Sequence, residues 1–167
     1  MIQVYTGGGK GKTTAALGLA LRASGAGLKV FIGQFAKGRA CSELKSLKKI
    51  KNIKCQQFGG SCFIQSPPTK HDLKLAQDGW KKIKKIIREG TYDLVILDEV
   101  GIALNFNLLS LKEFCLFIKD VPKSLELVLT GRDMPGQVLE IADLVSEIKE
   151  KKHYYRQGIK ARQGIEY

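Results

Sequence analysis

The stretch Ile2-Gln3-Val4-Tyr5-Thr6-Gly7-Gly8-Gly9-Lys10-Gly11-Lys12-Thr13-Thr14 decides how the rest of the chain is read. Its apolar start predicts a buried strand, and the alanine- and leucine-rich residues 13–23 that follow predict a helix. Strand, glycine loop, Gly-Lys-Thr and helix together make a phosphate-binding loop. Glycines let successive backbone N–H groups converge on an anion with no Cβ in the way. The helix start adds unpaired donors and the positive end of its dipole. The candidate nucleotide contacts are therefore Thr6, Gly7, Gly8, Gly9, Lys10, Gly11, Lys12, Thr13 and Thr14. Lys12 supplies a point charge to the phosphates, and the Thr13 hydroxyl can hold Mg²⁺. The usual spacing puts a glycine at position 6, where this chain has Thr6. A plain glycine turn between strand and helix is the competing reading.

Residues 92–100 (YDLVILDEV) are the second motif, an apolar run ending in Asp98 and Glu99. This is the Walker B pattern, a central strand that delivers Asp98 beside the phosphate loop to orient a Mg²⁺ shell. Glu99 is either a second Mg²⁺ contact or a group that polarises a water. Residues 125–130 predict a further strand, with Gly131, Arg132 and Asp133 at its carboxyl end. Open parallel sheets place ligands at that end. Arg132 there is a candidate phosphate clamp, or a surface arginine in a turn.

The remaining segments fit around these two motifs. Helix 13–23 is apolar nearly all round and is expected to be buried. Residues 28–35 predict a second strand, joined to the first as a parallel strand–helix–strand unit. A short helix from Ser42 and a strand over 53–58 follow. Residues 69–89 form an amphipathic helix, with Leu73, Ala76, Trp80, Ile83 and Ile87 at steps of three and four. Its opposite side carries Lys81, Lys84, Lys85 and Arg88, a solvated face or a phosphate-binding one. Helices over 110–120 and 137–142 and a last strand over 144–148 complete the pattern. Residues 59–68 are a loop by their glycines and prolines, yet they hold Phe63 and Ile64. That apolar pair suits a lid over a large ligand, or packing onto Trp80. The tail, residues 153–167, is basic and glycine-punctuated. The whole predicts a three-layer α/β domain of the P-loop NTPase-like, RecA-like type, with a mainly parallel central sheet. Residues 1–167 read as one domain.

Composition narrows the function classes. No apolar run approaches the roughly 18 residues of a membrane span. No leader precedes the first strand, so a cytoplasmic protein is expected. Cys41, Cys55, Cys62 and Cys115 match no zinc or redox spacing, and His71 and His153 are far apart. The net charge of +12 fits nucleic acid, an anionic small ligand, an acidic protein partner or a solvated lysine-rich face.

These motifs in this order resemble the ATP:corrinoid adenosyltransferases. Residues 6–16 (TGGGKGKTTAA) are similar to that family's shortened phosphate loop, including the threonine at its start. Residues 34–38 (QFAKG) resemble its second-strand exit, Leu97-Asp98-Glu99 its acidic strand end, and residues 129–132 (LTGR) its arginine turn. Residues 142–147 (ADLVSE) and 158–167 (GIKARQGIEY) are similar to its C-terminal signature. The resemblance covers nearly the whole chain. It implies transfer of the 5′-deoxyadenosyl group of ATP to the cobalt of a reduced corrinoid, with release of triphosphate. Cobalt(I) is then the nucleophile, which agrees with the lack of a serine, cysteine or histidine nucleophile motif. Lys12, Arg132 and Glu99 become the candidate catalytic residues, and Thr13, Asp98 and Glu99 the Mg²⁺ set. Family members commonly carry Gly-Phe-Thr-Trp after the third strand, against Gly60-Ser61-Cys62-Phe63 here. Phe63 stands in place of the tryptophan as the candidate corrinoid contact. The implied partners are ATP, a corrinoid and an electron donor such as reduced flavodoxin, with a homodimer open to it. Neither a specific nucleic acid nor a membrane is implied. The alternative is an ATP-dependent nucleic-acid-binding P-loop ATPase, favoured by charge and by Glu99 as a water activator; a non-catalytic nucleotide-dependent module is a third reading.

Overall fold

The computed structural model describes residues 1–38, 41–60 and 67–166. Its strands are β1 (Ile2–Thr6), β2 (Val30–Phe35), β3 (Ile53–Phe58), β4 (Leu94–Asp98), β5 (Glu126–Thr130) and β6 (Leu144–Glu147). Its helices are α1 (Lys12–Gly25), α2 (Ser42–Leu47), α3 (Lys70–Glu89), α4 (Val100–Asn105), α5 (Leu111–Lys119) and α6 (Gly136–Ile141). All strands join one sheet in the order β3-β2-β4-β5-β1-β6, and every pairing is parallel.

The three layers follow from the period of the strands. In β4, Leu94 and Ile96 point to one face with Val30, Ile32 and Val128, where the Ala16, Ala20 and Ala23 stripe of α1 covers them. Val95 and Leu97 point to the other face with Phe31, Phe35 and Leu127, beneath α3, α4 and α5. Both faces of a parallel sheet are buried this way, which is why its strands read as continuous apolar runs.

Two expectations change. β1 and β2 share a sheet but do not pair, because β4 and β5 lie between them. The α1 crossover therefore skips two positions. Nor is α1 buried all round. Its contact is the narrow alanine stripe, and Leu21 is 59% exposed. Small residues bring the helix axis close to the sheet, Leu17 and Leu19 pack half-buried at the edges of that contact, and Leu21 faces outward.

Helix α3 behaves as its pattern predicts. The Thr69 hydroxyl and the Asp72 carboxylate form a reciprocal capping box at its start, and left-handed Gly90 closes it. Ala76, Trp80, Ile83 and Ile87 are buried, while Leu73 stays partly exposed. Trp80 packs against Phe114 and Phe117 of α5, with ring centres 5.0 and 5.1 Å away. Gly79 lies on Phe58, where an added Cβ would come within 2.4 Å of the ring. Gly79→Ala should therefore lower stability by about 1–3 kcal/mol, since overpacking forces Phe58 off its position. Chemical denaturation of the two proteins checks this; an unchanged or raised midpoint would mean that α3 shifts freely.

Candidate nucleotide site

The phosphate loop is shaped by the chain that leaves β6. Gly9 N–H donates to the Ile148 carbonyl at 2.8 Å. A Cβ would come within 2.5 Å of that oxygen on Gly7 and 2.8 Å on Gly9. Gly7 (φ 99°) and Gly11 (φ 122°) also hold backbone angles that other residues avoid. The Thr6 hydroxyl accepts the Met134 N–H at 3.2 Å. It thereby ties β1 to the turn after β5.

Lys12 folds back over this loop. Its ammonium donates to the Gly7 carbonyl at 2.6 Å and the Gly9 carbonyl at 2.9 Å, with the residue only 8% exposed. Burial pulls its pKa down, and the arrangement leaves it ready for an anionic partner. Lys10 is committed elsewhere. Its ammonium donates to the Tyr154 hydroxyl at 2.7 Å and pairs with Glu166 at 2.7 Å. Arg162 pairs with the same carboxylate and lies over the Tyr154 ring at 4.9 Å. Hydrogen bonds from Lys10, Tyr154 and Arg162 hold the Glu166 carboxyl well below the usual range.

Asp98 gathers four donors at the carboxyl edge of the sheet. One oxygen accepts from Thr13 at 2.9 Å and Thr130 at 2.7 Å. The other accepts from Gln34 at 3.2 Å and Lys37 at 2.8 Å. The Lys37 ammonium also reaches the Thr13 hydroxyl at 3.3 Å. Burial lowers the Lys37 pKa, and the Asp98 carboxylate more than offsets this and holds it charged. Glu99 caps α4 with φ 58°, and its N–H donates to Thr130 at 2.9 Å. Burial first, then the Asp98 charge, pushes the Glu99 carboxyl up, against the pull of Lys37, Lys12 and Arg132. Arg132 reaches across the edge to the Gly8 carbonyl at 3.3 Å. Asn105, at the end of α4, holds that turn through the carbonyls of Arg132 and Asp133.

These groups surround a cleft of about 1160 Å³. Gly8 to Thr14, Lys37, Glu99 and Arg132 line one part of it, and His153, Arg156 and Glu166 of the tail line another. No cluster of three or more His, Cys, Asp or Glu side chains able to hold a metal occurs among the described residues. Mg²⁺ needs no such cluster, because it takes one or two carboxylates with substrate phosphates and waters. Thr13 and Asp98 offer hard oxygens, and a cationic ammonium already bridges them, so the site fits the ion.

Of the residues singled out from sequence, Lys12, Thr13, Asp98, Glu99 and Arg132 come together here. Thr6 instead joins elements behind the loop, and Phe63 lies outside the described residues, as do Ser61 and Ile64. Residue-level reading did not find Gln34, Lys37, Thr130, Tyr154 or Glu166 as site residues. The first three stand at or just past the ends of β2 and β5, the edge that the fold reserves for ligands. The tail residues carry no local signal beyond the likeness of their whole segment to a family signature.

Parallel sheet, glycine loop, buried lysine and acidic strand end define a P-loop α/β protein. Residues 1–167 match the family described as ATP:corrinoid adenosyltransferase BtuR/CobO/CobP. The whole chain aligns at 36% identity with a corrinoid adenosyltransferase of Sinorhizobium sp, covering 80% of it. It aligns at 34% with one of Escherichia coli K12 and 32% with one of Salmonella typhimurium, covering 85% of each. The chain belongs to the ATP:corrinoid adenosyltransferase family.

Two outcomes follow from the geometry. Thr6→Val leaves the buried Met134 N–H unpaired and should cost about 1–3 kcal/mol in a denaturant titration; no loss would mean that water or a backbone shift replaces the hydroxyl. The raised Glu99 pKa means that the fold favours its protonated form. That contribution is full below the ordinary glutamate value and lost as pH rises through the higher folded value. The melting temperature of the nucleotide-free protein should fall across that window, and Glu99→Gln should flatten the fall.

Proposed function

We propose that the cleft binds ATP with its triphosphate on the glycine loop, and that a reduced corrinoid attacks the nucleotide there. The carrying observation is that Lys12, Thr13 and Arg132 line one cleft at the carboxyl edge, with buried Asp98 directly behind Thr13, so that three separate parts of the chain converge there. The chain is a transferase of a family whose substrates are ATP and a corrinoid. Cobalt(I) supplies the electron pair, a cobalt–carbon bond forms at the 5′ carbon, and the carbon–oxygen bond to triphosphate breaks. The triphosphate departs with the electron pair of the broken carbon–oxygen bond, and so gains negative charge. Lys12, Arg132 and loop amides would receive this charge, which is positioning and electrostatic work. Mg²⁺, held by Thr13 and Asp98 with Glu99 nearby, would neutralise part of the charge on the phosphates.

The lid reading of residues 59–68 and the role of Phe63 toward the corrin ring belong to the same proposal. So does a one-electron donor such as reduced flavodoxin, which would take cobalt(II) to cobalt(I) and whose acidic surface would suit the +12 chain. No described helix is long and apolar enough to cross a membrane. The proposed setting is the cytoplasm, with residues 1–167 working as one domain and with a homodimer as the assembly to test by sedimentation.

Incubation with ATP, Mg²⁺ and chemically reduced cobalamin should give the adenosylated corrinoid and one triphosphate per turnover. Orthophosphate without adenosylation, stimulated by DNA or RNA, would instead favour the nucleic-acid-dependent ATPase. Lys12→Ala should lower the rate by at least ~100-fold, the scale of losing one main electrostatic stabiliser. Near-normal turnover in the folded variant would remove Lys12 from its role.

A further inference from the structure

The ammonium of Lys37 sits where a cation would be held. It lies 2.8 Å from one oxygen of Asp98 and 3.3 Å from the Thr13 hydroxyl. Those two groups touch each other at 2.9 Å through the other Asp98 oxygen. The placement is built into the backbone. β2 ends at Phe35, and Ala36 then takes a left-handed conformation, φ 54°, which a residue with a Cβ adopts at a cost. That turn carries Lys37 back over the end of the sheet toward β4. Gly38 follows against the backbone of the β3 exit, where a Cβ would lie 2.3 Å from the Gly60 carbonyl oxygen. A strained residue on one side and a close backbone approach on the other fix Lys37 over Asp98. The carboxylate itself is 1% exposed, so a charge there needs a partner at all times.

We infer that Lys37 is an internal counter-ion that occupies the metal position between Asp98 and Thr13 and yields it only when metal arrives with nucleotide. The inference rests on the Mg²⁺–ATP reading of this cleft. A free divalent ion would have to displace a tethered ammonium and meet its repulsion, with one buried carboxylate to reward it. A nucleotide brings phosphate oxygens for the metal and negative charge for the displaced ammonium. Lys37 thus makes metal binding conditional on ATP, and it keeps Asp98 neutralised and the loop shaped between turnovers.

Mn²⁺ serves as the probe, read by the loss of its free electron-spin signal, on the wild type and on Lys37→Met, Lys37→Gln and Lys37→Arg. Without nucleotide, the two neutral variants should bind Mn²⁺ at least about tenfold more tightly than the wild type, because the tethered charge that holds the position, and that repels the ion at close range once displaced, is removed. Lys37→Arg should stay as weak as the wild type. Lys37→Gln keeps an amide donor for Asp98 and carries the comparison if Lys37→Met does not fold. Adding Asp98→Asn to the neutral variant should abolish the gained binding, which locates it. Equal, weak Mn²⁺ binding by all variants without ATP, with ATP-dependent binding intact in the wild type, would overturn the counter-ion role and leave the nucleotide reading standing. A wild type that takes up no Mn²⁺ even with ATP would overturn both.

Discussion

The site depends on the accommodation of one buried carboxylate. Asp98 lies at the end of a strand with neighbours on both sides, and an ion in that position costs several kcal/mol unless it is paired and hydrogen-bonded. Each of its donors comes from a different place: Thr13 from the first turn of α1, Gln34 from β2, Lys37 from the β2 exit and Thr130 from β5. The sheet register makes this unavoidable, because Gln34 stands directly beside Asp98 in the β2–β4 ladder. Satisfying one charge thereby fixes the relative positions of the glycine loop, the β2 exit and the β5 turn. Among the described residues no buried side-chain polar atom is left without a partner.

Of the four non-glycine residues with left-handed backbone angles among the described residues, three collect around the same edge, and the fourth, Asn107, follows α4. Ala36, Glu99 and Asp133 have left-handed backbone angles and lie just after β2, β4 and β5. A parallel strand must be followed by a turn away from the sheet, and a left-handed residue makes that turn sharply. The outcome is that Lys37, Glu99 and Arg132 face the cleft instead of continuing along their strands. Such conformations cost of order 1–3 kcal/mol each and persist where the surrounding structure holds them. Here the holding groups are visible: Asp98 for the Lys37 turn, Thr130 for the Glu99 amide and Asn105 for the Arg132 turn.

The layers, the parallel sheet and the central part of the site were legible in sequence because they rest on local signals. Glycines 7, 9 and 11, Lys12 and Thr13 announce an anion loop by their own chemistry, and the apolar run into Asp98 announces a buried strand with a charged end. Strand order was not legible. Which strands neighbour β1 depends on the length and packing of crossovers, and nothing in residues 2–6 encodes that β5 and β6 will flank them. The exposure of α1 was misjudged for a related reason, since leucine and alanine look alike to an apolar pattern while only alanine permits the close approach to the sheet. Lys37, Tyr154 and Glu166 were hidden among other lysines and a basic tail, because their roles exist only when distant segments meet. Short helix α4 was masked by its place, one residue after the acidic strand end.

The strand order also sets a timetable for synthesis. β1 leaves the ribosome first, but its ladder partners are β5 and β6, with Ile2 opposite Leu127 and Thr6 opposite Glu147. The strands β2, β3 and β4 can begin pairing among themselves while β1 still lacks both neighbours. Pairings of such long sequence separation are slow to close, and an unpaired apolar strand is exposed meanwhile. The nascent chain therefore carries its nucleotide loop unfinished until β5 and β6 have emerged. Growing chains and C-terminally shortened ones would be expected to engage chaperones through that orphan first strand, and the ability to grip a phosphate arrives late and all at once.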